Sequence, residues 1–197
     1  MLQPVWEADS QLTVGILALQ GDFTPHRKAA EALGYASVLV RYPEELAELD
    51  ALIMPGGEST TIWKLLDRWG FVEPLAERIE AGMPVWGTCA GAILLARAIE
   101  GSDQPTLGHM AMSVIRNAYG RQVDSFEAPV AIKGLDEPVR AVFIRAPVLT
   151  QLGPSVEVLA RHEGSVVAAR QGNLLATTFH PELTDDLRLH RLFLNDR

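Results

Sequence analysis

Short, unbroken apolar runs alternate along this chain with longer amphipathic stretches. The first four runs lie at residues 12–20, 36–41, 51–55 and 84–88. Runs of this length, rich in aliphatic side chains, are typical of strands buried on both faces of a parallel sheet. Strands that alternate with helices predict an α/β fold, a three-layer sandwich whose central sheet is mostly parallel and carries helices on both faces.

The intervening stretches predict helices with recognisable ends. Thr24 is the expected cap of the first helix, Pro25 its first helical residue and Gly34 its end. Later helices are expected at 59–69 and 73–81, each followed by a glycine, and at 90–99.

From residue 107 to 150 the pattern changes to short β-like segments broken by Gly, Pro and Asn. These segments predict antiparallel strands added to the edge of the sheet. The later segments VEVLA, SVVAARQ and LLATTFHPE continue the pattern, with a hairpin turn at Gln171-Gly172-Asn173. An amphipathic helix is expected over 185–196. The sequence thus predicts a loose lead-in at 1–11 and a single domain over 12–197.

Composition excludes several classes of protein. The 197 residues carry a net charge of −8, which disfavours binding to a nucleic-acid backbone. One cysteine cannot form an internal disulfide. The first residues lack the basic and apolar segments of a signal peptide, and no run approaches the roughly 20 residues of a membrane span. We therefore expect a cytoplasmic protein, and no cluster has the spacing of a metal site.

The single cysteine, Cys89, lies between Gly87 and Gly91 at a predicted strand-to-helix junction. Gly-x-Cys-x-Gly in that position has the layout of a nucleophile elbow, with cysteine in place of serine. Glycines let the helix and a substrate approach, and the helix start would stabilise a thiolate and an oxyanion. The alternative is a small buried side chain, as free cysteines often are.

His180 is the best candidate for a base. It follows the apolar run LLATTF, where parallel sheets gather their functional groups at the carboxyl ends of strands. Pro181 favours an extended backbone at His180, so that Glu182 can project to the same side and orient the ring. The alternative is a loop histidine followed by a capping glutamate. The other histidines, at positions 26, 109, 162 and 190, are assigned to surface or cap positions.

The segment MPGGEST at 54–60 follows the third strand. Its paired glycines can direct backbone N–H groups into a pocket and so stabilise an oxyanion. It can equally be an ordinary turn in which Ser59 or Thr60 caps the next helix, and both interpretations are compatible.

Several motifs together resemble one known family. LALQGDF, PGGEST, GTCAG, RNAYGRQ, FIRAP and HPEL occur in the order and spacing found in the glutaminase subunits of pyridoxal 5′-phosphate synthase, a family of class I (triad-type) glutamine amidotransferases. The resemblance covers about residues 12 to 195. GTCAG and HPE indicate only the broad class, whereas RNAYGRQ and FIRAP narrow it to the vitamin B6 enzyme.

The resemblance implies a role for each matching residue. Cys89 would be the nucleophile, His180 the base and Glu182 its orienting partner, with the oxyanion hole formed by the backbone of Gly57 and Ala90. The residues implied to hold glutamine are Gly57, Glu58, Ser59, Arg116, Ile144 and Arg145. A guanidinium suits the α-carboxylate of glutamine, and a carboxylate or carbonyl suits its ammonium group. Without the resemblance, the two arginines would be assigned to solvated strand positions.

The resemblance also implies the reaction and the partner. Glutamine would be hydrolysed to glutamate and ammonia, and the ammonia passed to a larger lyase subunit that builds pyridoxal 5′-phosphate in a hetero-oligomer. The glutaminase of that family depends on docking, and it needs no cofactor of its own. This chain departs from the family at Pro25, where an acidic residue is frequent, and in its extended N-terminus.

Three other functions fit part of the sequence. A cysteine hydrolase or peptidase would need the elbow but not Arg116. A catalytically silent binding subunit would not need Cys89, His180 and Glu182 together. An amidotransferase subunit of another pathway, such as histidine biosynthesis, would differ only in RNAYGRQVDSF and FIRAP.

Overall fold

The computed structural model describes residues 12–118 and 125–195. These residues form twelve strands, five α-helices and two short 3₁₀ helices, Pro43–Glu48 and Pro181–Leu183. The strands are β1 (Thr13–Leu17), β2 (Ala36–Val40), β3 (Ala51–Met54), β4 (Val85–Thr88), β5 (Ala96–Ile99), β6 (Met110–Ile115), β7 (Ser125–Val130), β8 (Val139–Ile144), β9 (Val148–Thr150), β10 (Glu157–His162), β11 (Ser165–Gln171) and β12 (Leu174–Thr177). The helices are α1 (Phe23–Ala32), α2 (Ser59–Arg68), α3 (Val72–Glu80), α4 (Ala90–Leu95) and α5 (Arg188–Asn195).

One large sheet organises the molecule, in the order β2-β1-β3-β4-β12-β11-β9-β6-β5, with β10 paired to β11. The five strands from β2 to β12 run parallel to their neighbours. Beyond β12, strands β11, β9 and β6 pair antiparallel. This arrangement confirms the predicted α/β class with a mostly parallel sheet and antiparallel strands toward one edge.

The parallel strands are buried on both faces because their alternate side chains enter two separate cores. In β3, Leu52 and Met54 belong to the core formed with α2, α3 and α4, whereas Ala51 and Ile53 belong to the core formed with α1 and α5. This double burial explains why the strands read as continuous apolar runs. The carboxyl ends of β3, β4 and β12, which are neighbours in the sheet, carry the candidate catalytic segments.

Three predictions about elements were wrong in part. The helix expected over 90–99 ends at Leu95, and Ala96 turns to an extended backbone that begins β5. The segments β7 and β8 form a separate two-stranded sheet instead of extending the large one. Helix α1 begins at Phe23, so that Thr24 and Pro25 lie inside its first turn and neither caps nor opens it.

Other expectations agree with the structure. Gly34, with φ of 88°, follows the end of α1, and residues 171–173 form the turn between β11 and β12. The amphipathic helix expected near the end is α5. The lead-in at 1–11 and the last four residues of RNAYGRQ, 119–122, lie outside the described residues. None of the helices in the described ranges combines the length and hydropathy needed to cross a membrane.

Candidate active site

Cys89 occupies the sharp turn predicted between β4 and α4. It precedes the first residue of α4 and has φ of 48°, a left-handed backbone that is strained for a side chain other than glycine. Its N–H donates to the carbonyl of Thr177 at 2.8 Å, which ties the turn to β12. The strain and the tether hold the thiol of Cys89 at the carboxyl edge of the sheet.

The glycines on either side of the cysteine are required by packing. A Cβ atom at Gly87 would lie 2.4 Å from the carbonyl carbon of Gly91. A Cβ at Gly91 would lie 2.0 Å from the carbonyl oxygen of Met54 at the end of β3. Both distances are far below contact, so the Gly-x-Cys-x-Gly pattern reflects the close approach of α4 to the strands beneath it.

His180 and Glu182 form the pair that their spacing predicts. The His180 Nδ1–H donates to Glu182 Oε1 at 2.7 Å, and both side chains are almost completely buried. The backbone N–H of His180 donates to the carbonyl of Val142 in β8 at 2.8 Å. Glu182 therefore orients the imidazole, and the alternative of a capping glutamate is not what the structure shows.

The electrostatics of this pair favour a charged imidazole. Burial is the largest influence and works to lower the pKa of His180, but hydrogen bonds with Cys89 and Glu182 and the charges of both outweigh it and raise the pKa to about 10. Burial likewise works to raise the pKa of Glu182, whereas His26 and His180 hold it far below its usual range. The positions of Cys89, His180 and Glu182 are thus compatible with the expected roles of nucleophile, base and orienting carboxylate.

The turn at Gly56-Gly57 packs directly against these side chains. A Cβ at Gly56 would lie 2.4 Å from His180 Cε1 and 3.4 Å from the Cβ of Cys89. The segment after β1 fixes the turn, because the Gly56 carbonyl accepts from the Asp22 N–H at 3.2 Å and Gln20 Oε1 accepts from the Glu58 N–H at 2.8 Å.

A pocket of about 490 Å³ opens above Cys89 and His180. Every residue expected to hold glutamine lines it, namely Gly57, Glu58, Ser59, Arg116, Ile144 and Arg145. Ala90, the second expected oxyanion donor, follows Cys89 directly and is buried. Pockets of several hundred cubic ångströms are typical of small-molecule sites, and this one is at the lower end of that range.

Several side chains of the pocket were not anticipated from the sequence. Gln20, Asp22, Ile93 and Asn117 also line it. The first two follow the carboxyl end of β1, a position where site residues are common in parallel sheets, so their place in the chain was the available signal.

Gln104 connects two walls of the pocket, although no sequence pattern marks it. Its Oε1 accepts from Arg116 Nη1 at 2.9 Å, from Thr60 Oγ1 at 2.8 Å and from Ser59 Oγ at 3.3 Å. Arg116 Nη2 also donates to Ser102 Oγ at 3.3 Å. The guanidinium is therefore held in place by neutral oxygens, which leaves its positive charge unneutralised by these contacts.

Glu58 caps α2, and the prediction that Ser59 or Thr60 does so was wrong. The carboxylate of Glu58 accepts from the backbone N–H groups of Thr60 at 3.1 Å and Thr61 at 2.7 Å. Partial burial works to raise the pKa of Glu58, but these bonds outweigh it and lower the pKa. The carboxylate is thus engaged with the helix, and Glu58 contributes to the wall of the pocket.

Arg145 follows β8 with φ of 43°, and Asn117 follows β6 with φ of 50°. Among the described residues, five non-glycine residues have positive φ, and three of them, Cys89, Asn117 and Arg145, line this pocket. Strained backbone is often found at functional sites, and its concentration here agrees with the location of the chemistry.

Two histidines assigned to surface or cap positions are in fact buried next to the triad. His26 of α1 and His190 of α5 are both fully shielded from solvent. His26 Nε2 lies 3.3 Å from Glu182 Oε2, and its Nδ1 lies 3.0 Å from His190 Nε2. Each occupies an inward position of a short helix, which residue type alone does not indicate.

Asp22, His180 and Glu182 offer ligand atoms that lie within 4.8 Å of one another, a spacing compatible with a metal ion. Asp22 is exposed, however, and the His180 Nδ1–H is already bonded to Glu182. A metal bound through His180 Nδ1 would have to break that bond, whereas proton transfer makes use of it.

Comparison with known proteins assigns the class that this site defines. A model of the SNO glutamine amidotransferase family matches residues 16–197. The chain therefore belongs to the SNO glutamine amidotransferase family.

Individual relatives narrow the comparison. A protein of Pelotomaculum thermopropionicum named pyridoxal 5′-phosphate synthase subunit PdxT is 59% identical over 184 residues, which cover 93% of this chain and 94% of the relative. The protein of the same name from Carboxydothermus hydrogenoformans is 54% identical over 184 residues, covering 93% and 96%.

Solved structures agree with this classification. A crystal structure described as a glutamine amidotransferase matches with a TM-score of 0.89 and 53% identity, covering 92% of this chain and 97% of that one. The structure of PurLQS from Thermotoga maritima matches with a TM-score of 0.68 at 14% identity, covering 94% of this chain and 99% of that one, which shows likeness of fold alone.

Proposed function

We propose that this chain hydrolyses L-glutamine to L-glutamate and ammonia, with Cys89 as nucleophile, His180 as base and Glu182 as orienting carboxylate. The observation that carries the proposal is the buried His180–Glu182 bond of 2.7 Å beside a strained cysteine at the floor of the pocket. Membership of the SNO glutamine amidotransferase family supports the substrate class.

The reaction follows from these positions. His180 takes the proton of the Cys89 thiol, and the sulfur attacks the carboxamide carbon of glutamine. The backbone N–H groups of Gly57 and Ala90 stabilise the tetrahedral oxyanion. His180 then returns the proton to the nitrogen as the C–N bond breaks, so that ammonia leaves and a glutamyl thioester remains. Water attacks the thioester, with His180 as base, and glutamate and the free thiol result.

Recognition of glutamine is assigned to the walls of the pocket. Arg116 is the proposed partner of the α-carboxylate, because its guanidinium faces the pocket and, among the residues that the structure describes, its hydrogen-bond partners are the neutral oxygens of Gln104 and Ser102. Gly57, Glu58, Ser59, Ile144 and Arg145 complete the site. Since the Glu58 carboxylate caps α2, a backbone carbonyl is the better partner for the substrate ammonium group.

We further propose that the ammonia passes to the lyase subunit of pyridoxal 5′-phosphate synthase in a cytoplasmic hetero-oligomer. Relatives 54–59% identical that bear the name of a subunit of that enzyme support this partner. An amidotransferase subunit of another pathway would share the triad, and it is the alternative that an assay must separate.

The test is glutamate release from glutamine, measured with and without the synthase subunit. Wild type should be activated by the synthase, and Cys89→Ala should abolish release. Arg116→Ala should raise KM, whereas the matched control Arg140→Ala, which alters an exposed arginine paired with Glu127, should not. Activity that is indifferent to this synthase would assign the chain to another pathway, and no activity under either condition would refute the glutaminase function.

A further inference from the structure

Behind the triad lies a cluster of four buried polar side chains drawn from four elements. His26 comes from α1, Thr88 from β4, Glu182 from the 3₁₀ turn after β12, and His190 from α5. His26 Nε2 is 3.3 Å from both Thr88 Oγ1 and Glu182 Oε2. Burying polar groups is costly unless they are paired, so an interior of this kind requires an explanation beyond filling space.

The contact with Glu182 determines which ring nitrogen of His26 carries hydrogen. Glu182 Oε2 is buried and has no well-aligned hydrogen bond to the residues that the structure describes. At 3.3 Å, a bare nitrogen lone pair would repel this carboxylate oxygen, whereas an N–H group attracts it. His26 therefore carries hydrogen on Nε2, bonded to Thr88 Oγ1 and in electrostatic contact with Glu182.

The contact with His190 determines that the other ring nitrogen of His26, Nδ1, accepts a hydrogen bond. His190 Nδ1 is buried and unpaired within the described ranges, and a buried N–H without an acceptor is rarer than a buried lone pair. Its hydrogen is thus on Nε2, which donates to His26 Nδ1 at 3.0 Å. Burial first, and then His26, lower the pKa of His190 to about 3, so the ring is neutral. The titratable groups that act on it are His26, Glu182 and Asp186.

We propose that His26 is a positioning residue for the carboxylate of Glu182, and that His190 acts through His26 by fixing its tautomer. The line of polar contacts would run from Cys89 through His180, Glu182 and His26 to His190, with hydrogen bonds at the His180–Glu182 and His26–His190 steps and an electrostatic contact between Glu182 and His26. Glu182 is held at one oxygen by His180 and at the other by His26, which prevents it from turning away from the imidazole. This inference rests on the proposed glutaminase function.

A purely structural role must be separated from positioning. Trp86 packs edge-on against both rings, at centroid distances of 5.8 Å from His26 and 4.9 Å from His190, so large substitutions would disturb the core. Tyr35→Phe is the matched control, because the Tyr35 hydroxyl joins the end of α1 to Asn195 of α5 at 2.6 Å, far from Glu182 in the chain and at the surface. Tyr35→Phe removes one bond between α1 and α5 and leaves the contacts of His26 and His190 in place.

The experiment compares His26→Leu, His26→Gln and Tyr35→Phe in two assays. With the synthase subunit, His26→Leu should lower kcat about 10-fold, the effect typical of groups that orient a functional ligand, and leave KM within about twofold. In the full chain alone, the pH at which iodoacetamide alkylation of Cys89 is half-maximal should move upward. The reason is that a Glu182 carboxylate no longer held at its second oxygen bonds the His180 imidazolium less well, and a weakened imidazolium favours the thiolate of Cys89 less.

His26→Gln should recover much of both properties, since its amide can place an N–H near the position of Nε2. Tyr35→Phe should match wild type. His190→Phe should produce a smaller change in the same direction, and none in the His26→Leu background, because it acts only through His26.

The outcomes distinguish the two proposals. Wild-type kcat and alkylation profile in a folded His26→Leu protein would overturn the positioning role and leave the glutaminase function intact. Wild type that releases no glutamate would refute the glutaminase function, and alkylation alone would then decide the role of His26. If the variants do not fold, ¹⁵N spectra of the wild-type imidazoles decide. Both histidines should carry hydrogen on Nε2, and the His26 signals should move when Cys89 is alkylated, whereas an Nδ1–H form of His190 or unmoved signals would contradict the proposal.

Discussion

Substituting Gly56 by alanine would test whether the turn after β3 sets the position of the base. The added Cβ would lie 2.4 Å from His180 Cε1 and 3.0 Å from His180 Nδ1. Carbon atoms in contact are about 3.5 Å apart, so the ring and the turn must separate by about 1 Å. Gly56 does not have a positive φ, and alanine can therefore adopt its backbone without strain of that kind. The effect should come from crowding of the imidazole.

The expected loss in rate follows from that displacement. A misplacement of about 1 Å in a catalytic group can reduce the rate about 100-fold, equivalent to about 3 kcal/mol in the activation free energy. Crowding of this kind should lower the free energy of unfolding by about 1–3 kcal/mol. Glutamate release in the presence of the synthase subunit measures the first quantity, and urea denaturation measures the second.

Gly153→Ala provides the matched control. A Cβ at Gly153 would lie 3.1 Å from the Cβ of Ala111, so it is also crowded, but it contacts no residue of the triad. It should reduce stability without lowering kcat. If Gly56→Ala folded and turned over glutamine at the wild-type rate, the close packing of the turn against His180 would have no catalytic consequence and the reasoning would be refuted.

Three further predictions concern the same site. The pKa of His180 is raised to about 10, so its contribution to stability is complete below the unfolded pKa of about 6.5 and is lost as the pH rises toward 10. The free energy of unfolding in urea should therefore decline from about pH 6 to about pH 9.5, and His180→Gln should lessen that decline. An equal decline in the variant and in wild type would contradict the prediction. Gln104→Leu should raise KM for glutamine about 10-fold with kcat nearly unchanged, because it removes a hydrogen bond that fixes the charged Arg116. Steady-state kinetics measure both constants, and an unaltered KM would show that this hydrogen bond is irrelevant to binding. Glu58→Ala should lower the free energy of unfolding by about 0.5–2 kcal/mol through loss of the cap on α2, and thermal or urea unfolding that matches wild type would show that the bond to Thr60 contributes nothing.

The sequence predicted the positions of the central side chains of the site better than it predicted the residues around them. Cys89 was identifiable because a backbone elbow requires glycine at fixed offsets. Glu182 was identifiable because Pro181, directly before it, favours an extended backbone at His180, so that the two side chains project to the same side. Both signals are local, and local geometry is what a short motif records.

The surroundings depend on contacts that are distant along the chain. His26 and His190 are 164 residues apart, and only the packing of α1 against α5 brings them to 3.0 Å. Gln104 lies in a stretch without regular secondary structure that reaches Arg116 and Ser59 from the side. A single sequence contains no local pattern that indicates contacts between residues so far apart in the chain.

The misplaced end of α4 has a different cause. Residues 90–99 are almost all apolar, and a short apolar run fits a buried helix and a buried strand equally well. The chain changes from one to the other at Ala96, where neither glycine nor proline marks the boundary.

The two arginines proposed for substrate recognition follow other strands than the groups proposed for bond breaking. Cys89, His180 and Gly57 follow β4, β12 and β3, three adjacent parallel strands whose spacing of about 4.8 Å is fixed by backbone hydrogen bonds. Arg116 follows β6, which pairs with the edge strand β5, and Arg145 follows β8, which belongs to a separate two-stranded sheet. Substitutions at the two arginines can therefore remodel selectivity while the three strands that carry the proposed reactive centre are retained, a modular arrangement in which one scaffold can acquire new substrates or new partners.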